Sequence, residues 1–273
     1  AGSYDSQGYL TPANAVERPR EYVWEPNVTE LPQNPFDPKS GVVIKGIFLP
    51  QLNELIHLIV AFILMFSIGL MTATSAFAGL YIPSFDETEK TLFPYYLAAL
   101  STSGFLIHEF AHRQVGRHYD LPAKFRLLTF GMMITIMGIM GYVFFNSPPF
   151  ALPGAVVVIG LENRDQAGKC KIAGPLSNFI ISLVLLPIVF LMPFEHFEYA
   201  ILFLQGAYVN TFLGVFNMLP VGMLDGRNII QWKRNYWIIL MLALAGLLIL
   251  EFVIMFFPEE YICLRYPGLP YCP

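Results

Sequence analysis

Six apolar runs, each close to the roughly 20 residues that an α-helix needs to cross a bilayer, constrain this chain more than any other feature. They cover residues 56–82, 93–114, 127–146, 172–193, about 198–222 and 236–257. Charged residues make up 13% of the chain, where soluble domains carry about 25%. The expected fold class is therefore an all-α polytopic membrane protein of about six hydrophobic helices. A net charge of −4 leaves no basic surface for nucleic acid, and three cysteines are too few for a disulfide framework.

Residues 1–50 are rich in proline and mixed charge, as in "TPANAVERPR" and "LPQNPFDPKSG". They read as an extended polar tail ahead of a transmembrane unit at 51–258, with a short tail at 259–273. Cys263 and Cys272 lie in that last segment, around a Pro-Gly turn, where a disulfide is one option and two free thiols the other.

Charge orients the runs. Arg113, Arg117, Lys124 and Arg126 follow the second, Arg164, Lys169 and Lys171 precede the fourth, and Arg227, Lys233 and Arg234 follow the fifth. Positive loops mark the cytoplasmic side, so these three places should share it, with the N-terminal tail. The acid-rich "PSFDETEK" and "PFEHFEY" should face outward. Between Arg126 and Arg164 the chain must then leave and return. Residues 127–146 are long enough to cross, but the return, 150–160, is short and holds Pro153, Gly154 and "VVVI". This predicts a re-entrant hairpin: a helix inward and an extended piece back. Irregular backbone at membrane depth survives only against protein or a wet cavity, so the hairpin should border a polar cavity.

The second run ends in "GFLIHEFAHRQVGRH", residues 104–118. His108 and His112, four apart, lie on one helix face and can share a metal ion. Glu109, beside the first, can act as general base on the water of such a site; this is the HExxH arrangement of zinc hydrolases. The bland alternative is a polar patch that binds a neighbouring helix, but ionisable groups inside a membrane are costly and usually functional. A catalytic zinc needs a third protein ligand. His57 opens the first run, His196 lies in an outer loop, and His118 turns away from the shared face. Glu251 belongs to the outer half of the last run. Asp225, in "FNMLPVGMLDGRNII", is the stronger candidate. It sits at the cytosolic end of the fifth run, beyond a break at Pro220 and Gly222. The expected ligand set for one Zn2+ is therefore His108, His112 and Asp225.

"HEFAH" followed far downstream by "NMLPVGMLDG" resembles the site-2 proteases, the intramembrane zinc metalloproteases. Asn217, Pro220, Leu224, Asp225 and Gly226 match every fixed position of that family's NxxPxxxLDG signature. "AGPLSN", 173–178, is similar to its middle helix, and the six-run layout is most like the archaeal members. The resemblance covers roughly residues 100–230. It implies a core made by the second, fourth and fifth runs around zinc below the cytosolic surface. It also implies a transmembrane protein substrate cut within or near the lipid bilayer.

For that reaction Asn178 and Asn217 are candidate binders of substrate backbone, with interhelical hydrogen bonding as the alternative for each. The strand 156–159 is a candidate for pairing with an unwound substrate, or is a buried strand that only lines the site. Gly174 and Pro175 are read as permitting close helix packing, and Cys170 as structural. Two other functions compete: a catalytically silent zinc-binding membrane chaperone or scaffold, which has no need of Glu109, and a metal transporter, which needs ligands in both halves of the bilayer. The oligomeric state is open.

Overall fold

The computed structural model describes residues 43–44, 47–48, 52–74, 87–145, 151–161, 163–193, 197–222 and 224–256. The expectations for the polar tail up to residue 42, for His196 and for Cys263 and Cys272 lie outside the described residues. A two-residue ladder, β1 (Val43–Ile44) and β2 (Ile47–Phe48), precedes α1 (Leu52–Thr74) and α2 (Glu87–His118). Then come β3 (Ala123–Leu127), α3 (Thr129–Phe145), β4 (Gly154–Val158) and α4 (Arg164–Leu191). The chain continues through α5 (Phe197–Asn217), α6 (Asp225–Trp232) and α7 (Arg234–Phe256).

The fold is all-α apart from the small strands, and it is that of a membrane protein. Among the described residues α1, α4, α5 and α7 are long and apolar enough to span. The second apolar run lies in α2, whose 32 residues make it about 48 Å long; the polar groups it carries lower its mean hydropathy. It stops where Asp120 adopts a φ of 55°, a left-handed conformation that an L-residue cannot propagate, and the Leu121 N–H caps Gly116 O at 3.0 Å. At the start of α4, the Asn163 side chain accepts the Asp165 N–H at 2.8 Å, satisfying one of the helix's orphan donors.

The hairpin differs from expectation in composition and reach. The returning piece is a strand, β4, and it pairs antiparallel with β3, from Ala123↔Val158 to Leu127↔Gly154. Thus β3 comes from the basic loop, and Leu127 belongs to a strand rather than a helix. The apolar helix between the strands, α3, keeps 17 residues, fewer than the run suggested. Its Met133, Met137, Val143 and Phe145 are exposed.

Both outer edges of this two-stranded sheet are capped by side chains. On the β3 side the Phe125 N–H donates to Glu54 Oε1 at 2.8 Å and the Leu127 N–H to His57 Nδ1 at 3.3 Å, both from α1. On the β4 side the Val156 N–H donates to Glu109 Oε2 at 2.6 Å. Backbone donors at membrane depth cost several kcal/mol each if unpaired, which is why a carboxylate and an imidazole stand at the head of α1. Glu54 also pairs with Arg113 Nη1 at 3.1 Å, tying α1 to α2. Ala61, Met65, Phe105, Phe125 and Val156 fill the space between helices and strands, with Phe105 edge-on to Phe125 at 6.1 Å.

The expected three-helix core is present: α2, α4 and α5 pack on one another. Gly104 of α2 leaves room for Asn210 of α5, whose amide would collide with a Cβ there. Farther along, Thr211 of α5 donates to Glu251 Oε1 of α7 at 2.9 Å and lies 2.8 Å from Ser182 Oγ of α4. Glu251 is fully buried and stays apart from the histidines.

Candidate metal centre

Helical spacing in α2 puts the His108 and His112 rings on one side, with their Nε2 atoms 3.1 Å apart. The partners of their other nitrogens fix the tautomers. His112 Nδ1 lies 2.7 Å from Cys170 O, a carbonyl that can only accept, so Nδ1 carries the proton. His108 Nδ1 lies 2.6 Å from Asn178 Oδ1. The orientation of that amide follows from its other end: Nδ2 donates to Asn210 Oδ1 at 3.1 Å and points at Gly104 O at 3.5 Å. Asn210 in turn donates through Nδ2 to Gly206 O at 2.9 Å. Carbonyl acceptors at both ends of the chain thus assign every amide and both rings. Each Nε2 is left as a lone pair aimed at the other.

Asp225 completes the cluster from a different element. After α5 ends, Gly222 turns the chain with a φ of 56°, and α6 starts at Asp225, close to the break the sequence suggested. Gly226 is required there, because a Cβ would overlap the carbonyl of Met218. Asp225 stands in the first turn of α6, where the helix dipole favours a carboxylate. Its Oδ2 is 3.3 Å from His108 Nε2 and 3.0 Å from His112 Nε2. No hydrogen-bond donor reaches that buried oxygen among the described residues. Its Oδ1 is held by Lys171 Nζ at 3.1 Å.

Three acceptor atoms converging without a donor repel one another unless a cation lies among them. Donor atoms around a tetrahedral zinc are roughly 3.3 Å apart, given bonds of about 2.0–2.1 Å, and the three separations here, 3.0 to 3.3 Å, suit that ion. Gly174 of α4 backs onto the same spot: a Cβ there would stand 2.5 Å from both Nε2 atoms. The residues present fit a divalent metal, and among the described residues His108, His112 and Asp225 form the one group of three that could hold it.

Other residues singled out in the sequence fall differently. Glu109 is buried beside the cluster and bonded to β4. Asn178 stands against His108. Asn217 donates to Leu213 O of its own helix at 3.0 Å. His118 is exposed at the end of α2, and His57 serves β3. A cavity of about 290 Å³ opens between α1, α2 and the strands. Leu58, Leu106, Ile107, Phe110, Phe125 and Val156 line it with Glu109 and Arg113. Its lining is mainly apolar apart from Glu109 and Arg113.

Sequence reasoning did not find Glu54, Asn210, the Cys170 carbonyl or the role of Lys171. A carboxylate in the first turn of an apolar helix was a usable signal for Glu54. Lys171 was counted only as an orienting charge.

A buried two-histidine, one-carboxylate cluster with a glutamate beside it, inside a helical membrane protein, is a donor set that suits a zinc ion. The chain is 32% identical over 173 residues to a protein of the archaeon Methanocaldococcus jannaschii named "Putative zinc metalloprotease", an alignment covering 63% of this chain and 87% of that protein. No protein-family model and no solved structure matches. The chain belongs to the zinc metalloprotease family of that archaeal protein, the site-2 protease-like family whose motifs its sequence carries. It is a membrane protein of the metalloprotease class.

Proposed function

We propose that this metalloprotease cuts peptide bonds within or near the transmembrane segments of other membrane proteins. In this reading His108, His112 and Asp225 hold one zinc ion and Glu109 is the general base. The convergence of the two Nε2 atoms and Asp225 Oδ2, with both Nδ1 atoms already committed, carries the reading. When bound, zinc activates a water molecule for attack and polarises the scissile carbonyl.

Glu109 takes the proton of the attacking water and returns it to the leaving amine. Its position supports this role: it neighbours His108 on α2 and is buried, and the Val156 N–H steadies its Oε2. Asn178 orients His108 through the Nδ1 bond and borders the place where an opened substrate would lie; Asn217, at the end of α5, binds substrate backbone. The mainly apolar cavity beside Glu109 suits an apolar stretch of chain. Gly154 and Val158 turn their backbone groups away from β3 on either side of the Val156–Glu109 bond, so β4 is the edge along which an extended segment could add. The positive loops around α2, α4 and α6 put the site towards the cytosol. Residues 51–258 make up the protease unit, with 1–50 and 259–273 as tails.

The test uses the full chain reconstituted in lipid with a model transmembrane peptide. Glu109→Gln should keep stoichiometric zinc and lose cleavage, since the amide is nearly isosteric but cannot take the proton. Asp225→Asn should lose both. Cleavage by Glu109→Gln at the wild-type rate would remove Glu109 as the base. Zinc binding without cleavage of membrane segments by the wild type would favour the scaffold function instead.

A further inference from the structure

The proposed ligand set leaves one charged group without a role. Lys171, on α4, ends 3.1 Å from Asp225 Oδ1. The opposite oxygen, Oδ2, is the one that faces the histidines and has no donor. A carboxylate offers a metal either one oxygen or two, and the choice fixes how many positions remain open. Zinc keeps three protein ligands and one open position in catalytic sites; a second Asp225 oxygen would occupy part of that space. Asp225 is 4% exposed, so its charge has little water to lean on, and two neutral imidazoles do not offset it. Lys171 supplies the compensating charge from the next helix while still reaching the surface, with its side chain 23% exposed.

We propose that Lys171 is a positioning residue for the metal centre. It holds Asp225 Oδ1, so that the aspartate presents Oδ2 alone, and it keeps the carboxylate aligned before metal arrives. This rests on the ligand set proposed above. Groups that orient a ligand in this way typically contribute 10–100-fold in metal affinity.

The experiment measures zinc affinity of the purified full chain against a competing chelator, together with the metal's oxygen coordination by X-ray absorption. Lys171→Met should bind zinc about 10–100-fold more weakly and show an added carboxylate oxygen at the metal. Lys171→Arg, which keeps a charged donor, should retain most of the affinity. Lys169→Met is the control: that lysine pairs with Asp165 on an exposed face of the same helix and should not change zinc binding. If Lys171→Met does not fold, Lys171→Gln is read in its place with the same expectation. Wild-type affinity and an unchanged spectrum in the substituted protein overturn the proposal, as does an equal loss in the Arg variant. Asp225→Asn separates the two levels: if it too binds zinc normally, the ligand set itself is wrong, whereas loss there with no effect at Lys171 rejects only the positioning role.

Discussion

Replacing Gly174 by alanine adds one carbon where α4 meets the two histidine rings. The new Cβ would stand 2.5 Å from His108 Nε2, 2.5 Å from His112 Nε2 and 2.6 Å from His108 Cε1. Reaching an ordinary contact of about 3.4 Å requires a shift of roughly 0.9 Å. The rings cannot supply it cheaply, because each is anchored through Nδ1, to Asn178 and to the Cys170 carbonyl. Metal–ligand distances tolerate only about ±0.2 Å, so the displacement falls on the site. Affinity for zinc should drop by at least about 100-fold, the upper range for disturbed ligand support. Global stability should change far less. Alanine gains about 1 kcal/mol of helix propensity against an overpacking cost of roughly 1–3 kcal/mol. The assay is chelator competition for zinc alongside circular dichroism of the purified protein in detergent. Gly246→Ala is the control, since a Cβ there meets nothing within 4 Å. A helical Gly174→Ala protein that binds zinc within about threefold of wild type would refute the account of the site's packing.

Asn178→Leu should weaken zinc binding about 10–100-fold by leaving His108 Nδ1–H without its acceptor; unchanged affinity in a folded variant would show that the bond does not orient the ring. Glu54→Ala removes the Arg113 ion pair and the acceptor of the Phe125 N–H, and should cost about 3–5 kcal/mol, read as lost thermal stability; a loss below about 1 kcal/mol would mean that the pair is idle. Glu251→Gln should stay within about 1 kcal/mol of wild type because the amide oxygen still accepts from Thr211, whereas Glu251→Ala should cost about 2–4 kcal/mol through a void and the loss of that bond. Equal unfolding temperatures for the two Glu251 variants would contradict that.

Much of the site could be read in advance because its chemistry is local. His108, Glu109 and His112 share one turn of helix, and Asp225 is marked by its turn residues Gly222 and Gly226. The helix lengths followed from apolar runs, with boundaries that shifted where caps decide them, as at Asn163 and Asp120. The strand β3 was hidden in plain view: "AKFRL" alternates apolar and basic residues, the period of a strand, but its charges were also the clearest topological signal. The partners that hold the site were not legible. Glu54 meets Phe125 across 71 positions and His112 meets Cys170 across 58, and no local pattern records such pairs. Gly174 reads as a packing residue, which it is; only the tertiary structure reveals that it packs against His108 and His112.

The short helix α3 has a consequence for the lipid itself. Its 17 residues give an apolar rod about 26 Å long, whereas the 23 residues of α1 extend to about 35 Å. A bilayer with a hydrocarbon core of about 30 Å matches one and overshoots the other. Where a hydrophobic helix is too short, the membrane thins around it at a cost of fractions of a kcal/mol per ångström. Were α3 to cross the bilayer, its length would make the hairpin containing β4, whose edge donates to Glu109, sensitive to bilayer thickness. Lipids with longer acyl chains raise the cost of fitting α3, and shorter ones relieve it.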